Sequence, residues 1–263
     1  MLTWLQMVFV RKLDGDIKLH YVDIGASAMT KPRIGTAFSE FEVVAFDPDP
    51  RSEADFINIG FDVRFHPYAV AGENGQRKLY LTKKSHCSSL LKPLPSDDWR
   101  YQVEREIDVE CRTLDSFNIC ADVLKIDVQG AELDILKQAK NTLAGAHVVE
   151  LEVWFERKYE KQAQIEDLQD WMNKQGFRSA GFSALYFDST DARSGIAFAD
   201  MVFLRPPTTV NGRKIIVASL ISAALDHLIA HFLPRGVFRS IDTWLVAIIQ
   251  LIATLKFRAP KVF

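Results

Sequence analysis

The sequence predicts an α/β fold built on parallel strands, and two patterns carry that prediction. Short apolar runs end in an acid or a glycine at intervals of roughly one strand-helix-strand unit, and amphipathic stretches with helical period fall between several of them. Right-handed crossovers follow, because that connection packs a helix back onto a twisted parallel sheet.

The first run, HYVDIG over residues 20–25, reads as a buried strand ending in Asp23 and Gly25. EVVAFDP over residues 42–48 repeats the arrangement and ends at Asp47. Between them PRIGTAFSEF supplies a short helix whose length Pro32 and Gly35 restrict. PRSEADFINIGF supplies a second helix, and VRFHPYAVA a third strand. Residues 77–110 interrupt the rhythm. RKLYL and VEREIDVEC alternate as strands, and the polar, proline-bearing KKSHCSSLLKPLPSDDWR reads as a loop over the carboxyl ends of the sheet. ADVLKIDV over residues 121–128 is the next parallel strand. QGAELDILKQAKNTLAG then forms one helix, with Leu133, Leu136, Ala139 and Leu143 on a common face and Gly145 as its stop. AHVVELEV is a further strand, and QAQIEDLQDWMNKQGF a helix with Ile165, Leu168, Trp171 and Met172 as its apolar stripe. FRSAGFSALYFD and IAFADMVFLRP pair as final strands across STDARSG, giving about seven strands besides the two of the interrupting segment and closing a domain over residues 1–206. Residues 207–263 form an appended basic, apolar tail with helix candidates at 214–233 and 239–257.

A chain of 263 residues, 48% hydrophobic and 25% charged, buries a full core, which excludes disordered and disulfide-stapled classes. Its net charge of -2 conceals a split: the tail carries seven basic residues and two acids, leaving the preceding 206 residues at -7. An acidic body without an aromatic-basic platform argues against a nucleic-acid partner. Cys87, Cys111 and Cys120 are odd in number and widely spaced, so neither a disulfide framework nor a thiolate metal site is expected, and a reducing, cytoplasmic compartment fits. The opening MLTWLQMVFVRKLDG places bulky residues before its basic pair and lacks the order of a secretory signal. The tail suits packing against the core, a homo-oligomer contact, or peripheral membrane contact through residues 211–263.

The chemistry begins at YVDIGAS. An acid at a strand's carboxyl end, followed by Gly25, Ala26 and Ser27, lets backbone groups approach a nucleotide or its amino-acid part. Neither G-x-G-x-x-G nor G-x-x-x-x-G-K-[ST] is present, which disfavours dinucleotide and P-loop readings. Asp47 ends the adjacent strand, where its carboxylate can accept hydrogen bonds from both hydroxyls of a ribose. An adenosine cofactor without phosphates therefore fits, and nearby acids tolerate a sulfonium centre. In VLKIDVQGAELDIL, Lys125 and Asp127 share one side of a strand, and Gly130 and Glu132 form the turn into a helix. Asp127 sits near the cleft mouth, while Glu132 enters the first helical turn, where negative charge is also favoured for helix stability alone.

Taken together, the chain resembles the FkbM-type family of S-adenosylmethionine-dependent methyltransferases. YVDIGAS, VVAFDPDP, FHPYAVAG, SSLL, CRTLDSF, LKIDVQGAELDIL and VVELEV occur in that family's order and spacing, over roughly residues 20–205. The resemblance implies a class I, Rossmann-like fold with a seven-stranded sheet containing one antiparallel strand, S-adenosyl-L-methionine as cofactor, and transfer of its methyl group to an oxygen. It implies that Asp23, Gly25 and Ala26 form the first cofactor loop, that Asp47 binds the ribose and that Ala69 borders the adenine. It further implies that Asp127 sits beside the methionine part or the acceptor, and that Glu132 organises the loop-to-helix junction. Two departures stand out: ASAMTKPRIG lacks the family's further glycine, and Asp47 replaces the usual glutamate.

Transfer to a hydroxyl requires alignment of the acceptor and removal of its proton. Asp127 is the first base candidate and His86, in the covering loop, the second. His66 has the same capacity, but its neighbour Pro67 assigns it equally to a turn. Glu150, Glu152 and Asp127 on neighbouring strand ends leave a carboxylate-bound magnesium open as an alternative, without a coordinating pattern that assigns one. Trp154 and Phe155 are candidates for an aromatic wall. The expected partner is a small hydroxylated acceptor, a saccharide or a lipid-linked compound. Two other readings stay open: an inactive methyltransferase-like interaction protein and an NAD-dependent reductase.

Overall fold

The computed structural model describes residues 19–26, 41–52, 63–187 and 195–205. The helix candidates over 32–40 and beyond Ser52, the STDARSG turn up to residue 194, and the whole tail with its two helix candidates lie outside the described residues.

In chain order the strands are β1 (Leu19–Ile24), β2 (Phe41–Phe46), β3 (Val63–His66), β4 (Ala69–Val70), β5 (Gly75–Thr82), β6 (Val103–Arg112), β7 (Val123–Ile126), β8 (Val148–Trp154), β9 (Arg178–Phe187) and β10 (Ile196–Leu204). The helices are α1 (Glu132–Gln138), α2 (Lys140–Gly145) and α3 (Ile165–Lys174). Seven strands form one sheet in the order β3-β2-β1-β7-β8-β10-β9. The strands β3, β2, β1, β7 and β8 are mutually parallel, and β10 runs antiparallel to both of its neighbours, β8 and β9. This is the mostly parallel, seven-stranded sheet with one reversed strand that the sequence implied.

The sheet centre is buried on both faces, as parallel sheets require. Every residue of β7 and of β8 is buried. One continuous core joins Val22, Ile24, Leu124, Ile126, Val149 and Leu151 of the sheet to Ile135, Leu136 and Leu143 of α1 and α2, and to Leu168 and Met172 of α3. Among the described residues, no helix is long and apolar enough to cross a membrane.

Two elements depart from the sequence expectation. The run VRFHPYAVA is not one strand: β3 pairs with β2, whereas β4 leaves the main sheet and pairs with β6. Pro67 stands at the change, having no N–H to continue a ladder. The expected single helix after β7 is also two. It breaks at Ala139 (φ -102°, ψ 35°), although Leu136, Ala139 and Leu143 all remain buried. The cause lies elsewhere in the chain. Both oxygens of Asp115 accept hydrogen bonds at the start of α2, from the backbone N–H groups of Asn141 and Thr142 at 2.9 Å each, and the Thr142 hydroxyl donates as well. That capping satisfies N–H groups that an unbroken helix would have used internally.

The interrupting segment forms its own three-stranded sheet, β4-β6-β5, with β5 and β6 as an antiparallel hairpin. Its connecting loop contains short 3-10 turns at Ser85–Cys87 and Trp99–Tyr101 and covers the carboxyl ends of β1, β2, β7 and β8.

Candidate functional site

Those strand ends open into a cavity of about 390 Å³, the place where a parallel sheet exposes ligand-binding loops. One end is walled by Gly25, Phe46, Asp47, Tyr68, Ala69 and Val70. The other end is walled by Asp127, Gln129, Glu152, Trp154, Phe198 and Asp200. The Ser85–Cys87 turn, with His86 on it, lines the cavity between them.

At the first end, the turn after β1 clasps the end of β2: the Gly25 and Ala26 N–H groups both donate to the Phe46 carbonyl, at 2.9 and 3.1 Å. Gly25 has φ +79°, and a Cβ there would lie 1.7 Å from the Asp127 carbonyl oxygen. No residue but glycine fits, so the small-residue turn exists to let this loop pass against the end of β7. Asp47 is buried, and its Oδ1 accepts from the Asp49 N–H at 2.8 Å. Burial pushes its carboxyl up to about 7, with that N–H working in the opposite direction. Ala69 stands in the wall beside Tyr68, whereas Ser27 lies outside the described residues.

The two ends meet at Lys125. Parallel register sets Asp23 beside Lys125, and strand alternation puts Asp127 on the same side. Lys125 Nζ lies 3.4 Å from Asp23 Oδ1 and 3.2 Å from Asp127 Oδ2. Burial alone lowers the lysine's affinity for its proton, but the carboxylates of Asp127 and Asp23 outweigh it and hold Lys125 well above its ordinary value. Asp23 is pushed up by burial, with Lys125 opposing. Its side chain is 4% exposed and that of Asp127 23%, so of the lysine's two partners Asp127 is the one that faces the cavity.

Beyond Asp127 a second network starts at Gln129, which holds a left-handed backbone (φ +61°). Its Nε2 donates to Asp127 Oδ1 at 2.9 Å and to Glu152 Oε2 at 2.7 Å, and its Oε1 accepts from the Tyr159 hydroxyl at 3.0 Å. Glu152 Oε2 also accepts from the Trp154 indole N–H at 3.0 Å. Both bonds converge on Oε2, leaving Oε1 as the uncommitted oxygen of a carboxyl that lines the cavity. Burial first, then the nearby Asp127, Glu132 and Asp200, push Glu152 well above the usual carboxyl range. Asp127 has no such spare atom, since one oxygen receives Lys125 and the other Gln129.

Glu132 fastens the loop from behind: its Oε1 accepts the Val128 N–H at 3.2 Å and the Gly130 N–H at 2.9 Å. Burial pushes it up to about 7. Asp23, Ala26 and Glu132 thus stand behind the cavity wall, while Gly25, Asp47, Ala69, His86 and Asp127 form part of it. His66 stacks on Phe46 at 4.9 Å and stands apart from the wall. Trp154 lines the cavity and stacks on Phe198, 4.8 Å between centroids, which stacks on Tyr186 at 4.4 Å. Phe155 is not part of this wall; it is exposed and sits against Phe182.

Gln129, Tyr159, Tyr186, Phe198 and Asp200 were not singled out from the sequence. They converge from separate strands and loops, and only the QG beside Asp127 hinted at any of them. Glu150, Glu152 and Asp127 do not assemble a metal centre: among the described residues, no group of three or more His, Cys, Asp or Glu side chains can hold a metal ion.

The donor set fits a nucleoside that carries a cationic amino-acid chain and no phosphate. A buried acid and apolar walls stand at one end and carboxylates with aromatic rings at the other, with a glycine turn between. A family model described as "Methyltransferase FkbM domain" matches residues 23–179, more than half of the chain. No curated protein matches it.

Proposed function

The chain belongs to the FkbM family of S-adenosylmethionine-dependent methyltransferases, and from that premise we propose that it methylates a hydroxyl of a small, ring-shaped acceptor such as a saccharide. The observation that supports this reading is the wall at the Asp127 end, where carboxyl groups of Glu152 and Asp200 border the stacked rings of Trp154, Phe198 and Tyr186. Aromatic faces receive the apolar faces of a ring, and carboxyl oxygens accept from its hydroxyls.

S-adenosylmethionine supplies the methyl group as an electrophile. Gly25, Asp47 and Ala69 would hold its nucleoside, with the Asp47 carboxylate as the acceptor for the ribose hydroxyls. Lys125 and Gln129 fix the Asp127 carboxylate, which would attract the cationic part of the cofactor and orient the acceptor. The ionised form of Glu152, which burial makes more basic than an ordinary carboxylate, takes the acceptor's proton on its uncommitted Oε1, and His86 on the turn above is an alternative proton acceptor.

Screening hydroxylated compounds for formation of S-adenosylhomocysteine tests the acceptor class. Glu152→Gln is expected to lower turnover about 100-fold or more while S-adenosylmethionine affinity stays within about threefold. Turnover that survives in Glu152→Gln and is lost in His86→Asn would move the proton to His86. Binding itself has a pH signature. Ribose hydroxyls favour the ionised form of Asp47, so affinity should rise with pH up to about 7 and level off above. Titration calorimetry across that range checks it, and Asp47→Asn should flatten the profile. Binding of NAD in place of the adenosine cofactor would overturn the proposal.

A further inference from the structure

The cavity-lining turn Ser85–Cys87 is fastened on two sides. On one side, the Tyr159 hydroxyl shares its one proton between Gln129 Oε1 and the Cys87 carbonyl, 2.9 Å away, and Ser89 Oγ shares its proton between the Val128 and Gln129 carbonyls at 3.2 and 3.0 Å. That side ties the turn to the loop bearing Asp127. On the other side stands Arg51. Its Nε and Nη2 grip the Asp49 carboxylate at 2.6–3.1 Å, while Nη1 donates to the Thr82 carbonyl at 3.1 Å and Nη2 to Ser88 Oγ at 3.0 Å. Asp49 in turn donates its N–H to Asp47 Oδ1. An unbroken path therefore runs from the cavity acid Asp47 through Asp49 and Arg51 to both ends of the covering turn.

We infer that Arg51 is a positioning residue that latches the Ser85–Cys87 turn over the cavity and couples it to the loop of Asp47. The planar guanidinium can address a carboxylate, a carbonyl and a hydroxyl together, which an ammonium at the same place cannot. The coupling to ligand rests on the cofactor reading above; the latch does not.

Hydrogen exchange of peptides spanning residues 83–90 in the full chain, with and without S-adenosylhomocysteine, tests it. Arg51→Ala is expected to speed exchange there by about tenfold in the free protein. It should also weaken S-adenosylhomocysteine by about three- to tenfold, since coupling between a ligand and the turn it touches is reciprocal. Ser88→Ala should reproduce these effects, and the double variant should be no worse than either single one. Arg51→Lys should fail to restore protection. Full rescue by lysine would reduce the role of Arg51 to neutralising Asp49, and additive effects of Arg51→Ala and Ser88→Ala would break the path; either result overturns the latch. If the unaltered protein does not bind S-adenosylhomocysteine, the cofactor reading fails, and exchange in the free protein still decides the latch.

Discussion

Two sets of carboxyl groups, all buried except the half-buried Asp127, meet at that residue, and they are stabilised in different ways. Asp23 and Asp127 flank the Lys125 ammonium, so charge answers charge. Glu152 and Glu132 are held by neutral donors instead: an amide and an indole for the first, backbone N–H groups for the second. The consequence is a cavity with fixed charge at the Lys125 end and proton-accepting capacity at the Glu152 end. Neutral donors do not offset the burial of a full negative charge, so Glu152 and Glu132 are pushed up, whereas the lysine between two acids keeps its proton.

The largest effect should come from removing the charge at the first set. Lys125→Met leaves two acids facing each other, one of them fully buried, and urea unfolding is expected to show a loss of about 3–5 kcal/mol at neutral pH. That loss should shrink in acid as the carboxyls take up protons.

Glu132, held by backbone N–H groups alone, carries a pH signature of its own. The folded value of Glu132 lies near 7 against an ordinary 4.5, so folding favours its protonated form. Its contribution is fully present below 4.5 and disappears as pH rises through about 7. Over that window the unaltered protein should lose up to about 3 kcal/mol relative to Glu132→Gln, which stays neutral throughout. Parallel stability curves for the two proteins would show that burial does not hold Glu132 in its protonated form.

Gln129→Leu sharpens the contrast on a smaller scale. It leaves Asp127 with Lys125, Glu152 with Trp154, and the Tyr159 hydroxyl with the Cys87 carbonyl, each short of one partner. The expected cost is about 1–3 kcal/mol, measured by the same unfolding experiment. The two variants separate in the same measurement, since the K125M loss should shrink in acid.

Much of this architecture was legible in the sequence because its signals are local. The apolar runs ending in Asp23, Asp47 and Asp127 gave three strand ends at one cavity, and the polar KKSHCSSLL stretch was correctly placed as its cover. What escaped was long-range. Ala139 is the best of helix formers, and nothing near it announces a break; the break depends on Asp115, more than twenty residues earlier. The departure of β4 from the sheet was signalled by Pro67, but the apolar residues on either side suit a continuous strand equally well. Gln129 and Glu152 carry no motif that reveals their bond, because it joins the loop after β7 to the end of β8.

The reversed direction of β10 has a consequence for how this cavity can diversify. A strand running the other way presents its beginning, Phe198 and Asp200, where its neighbours present their ends. The wall at the Glu152 end therefore draws on Tyr186, Phe198 and Asp200, late in the chain, while the Asp47 end is finished by Val70. Mutational drift in one stretch can redraw the wall at the Glu152 end without touching Gly25, Asp47 and Ala69 at the other, so the two ends can change separately within a single fold.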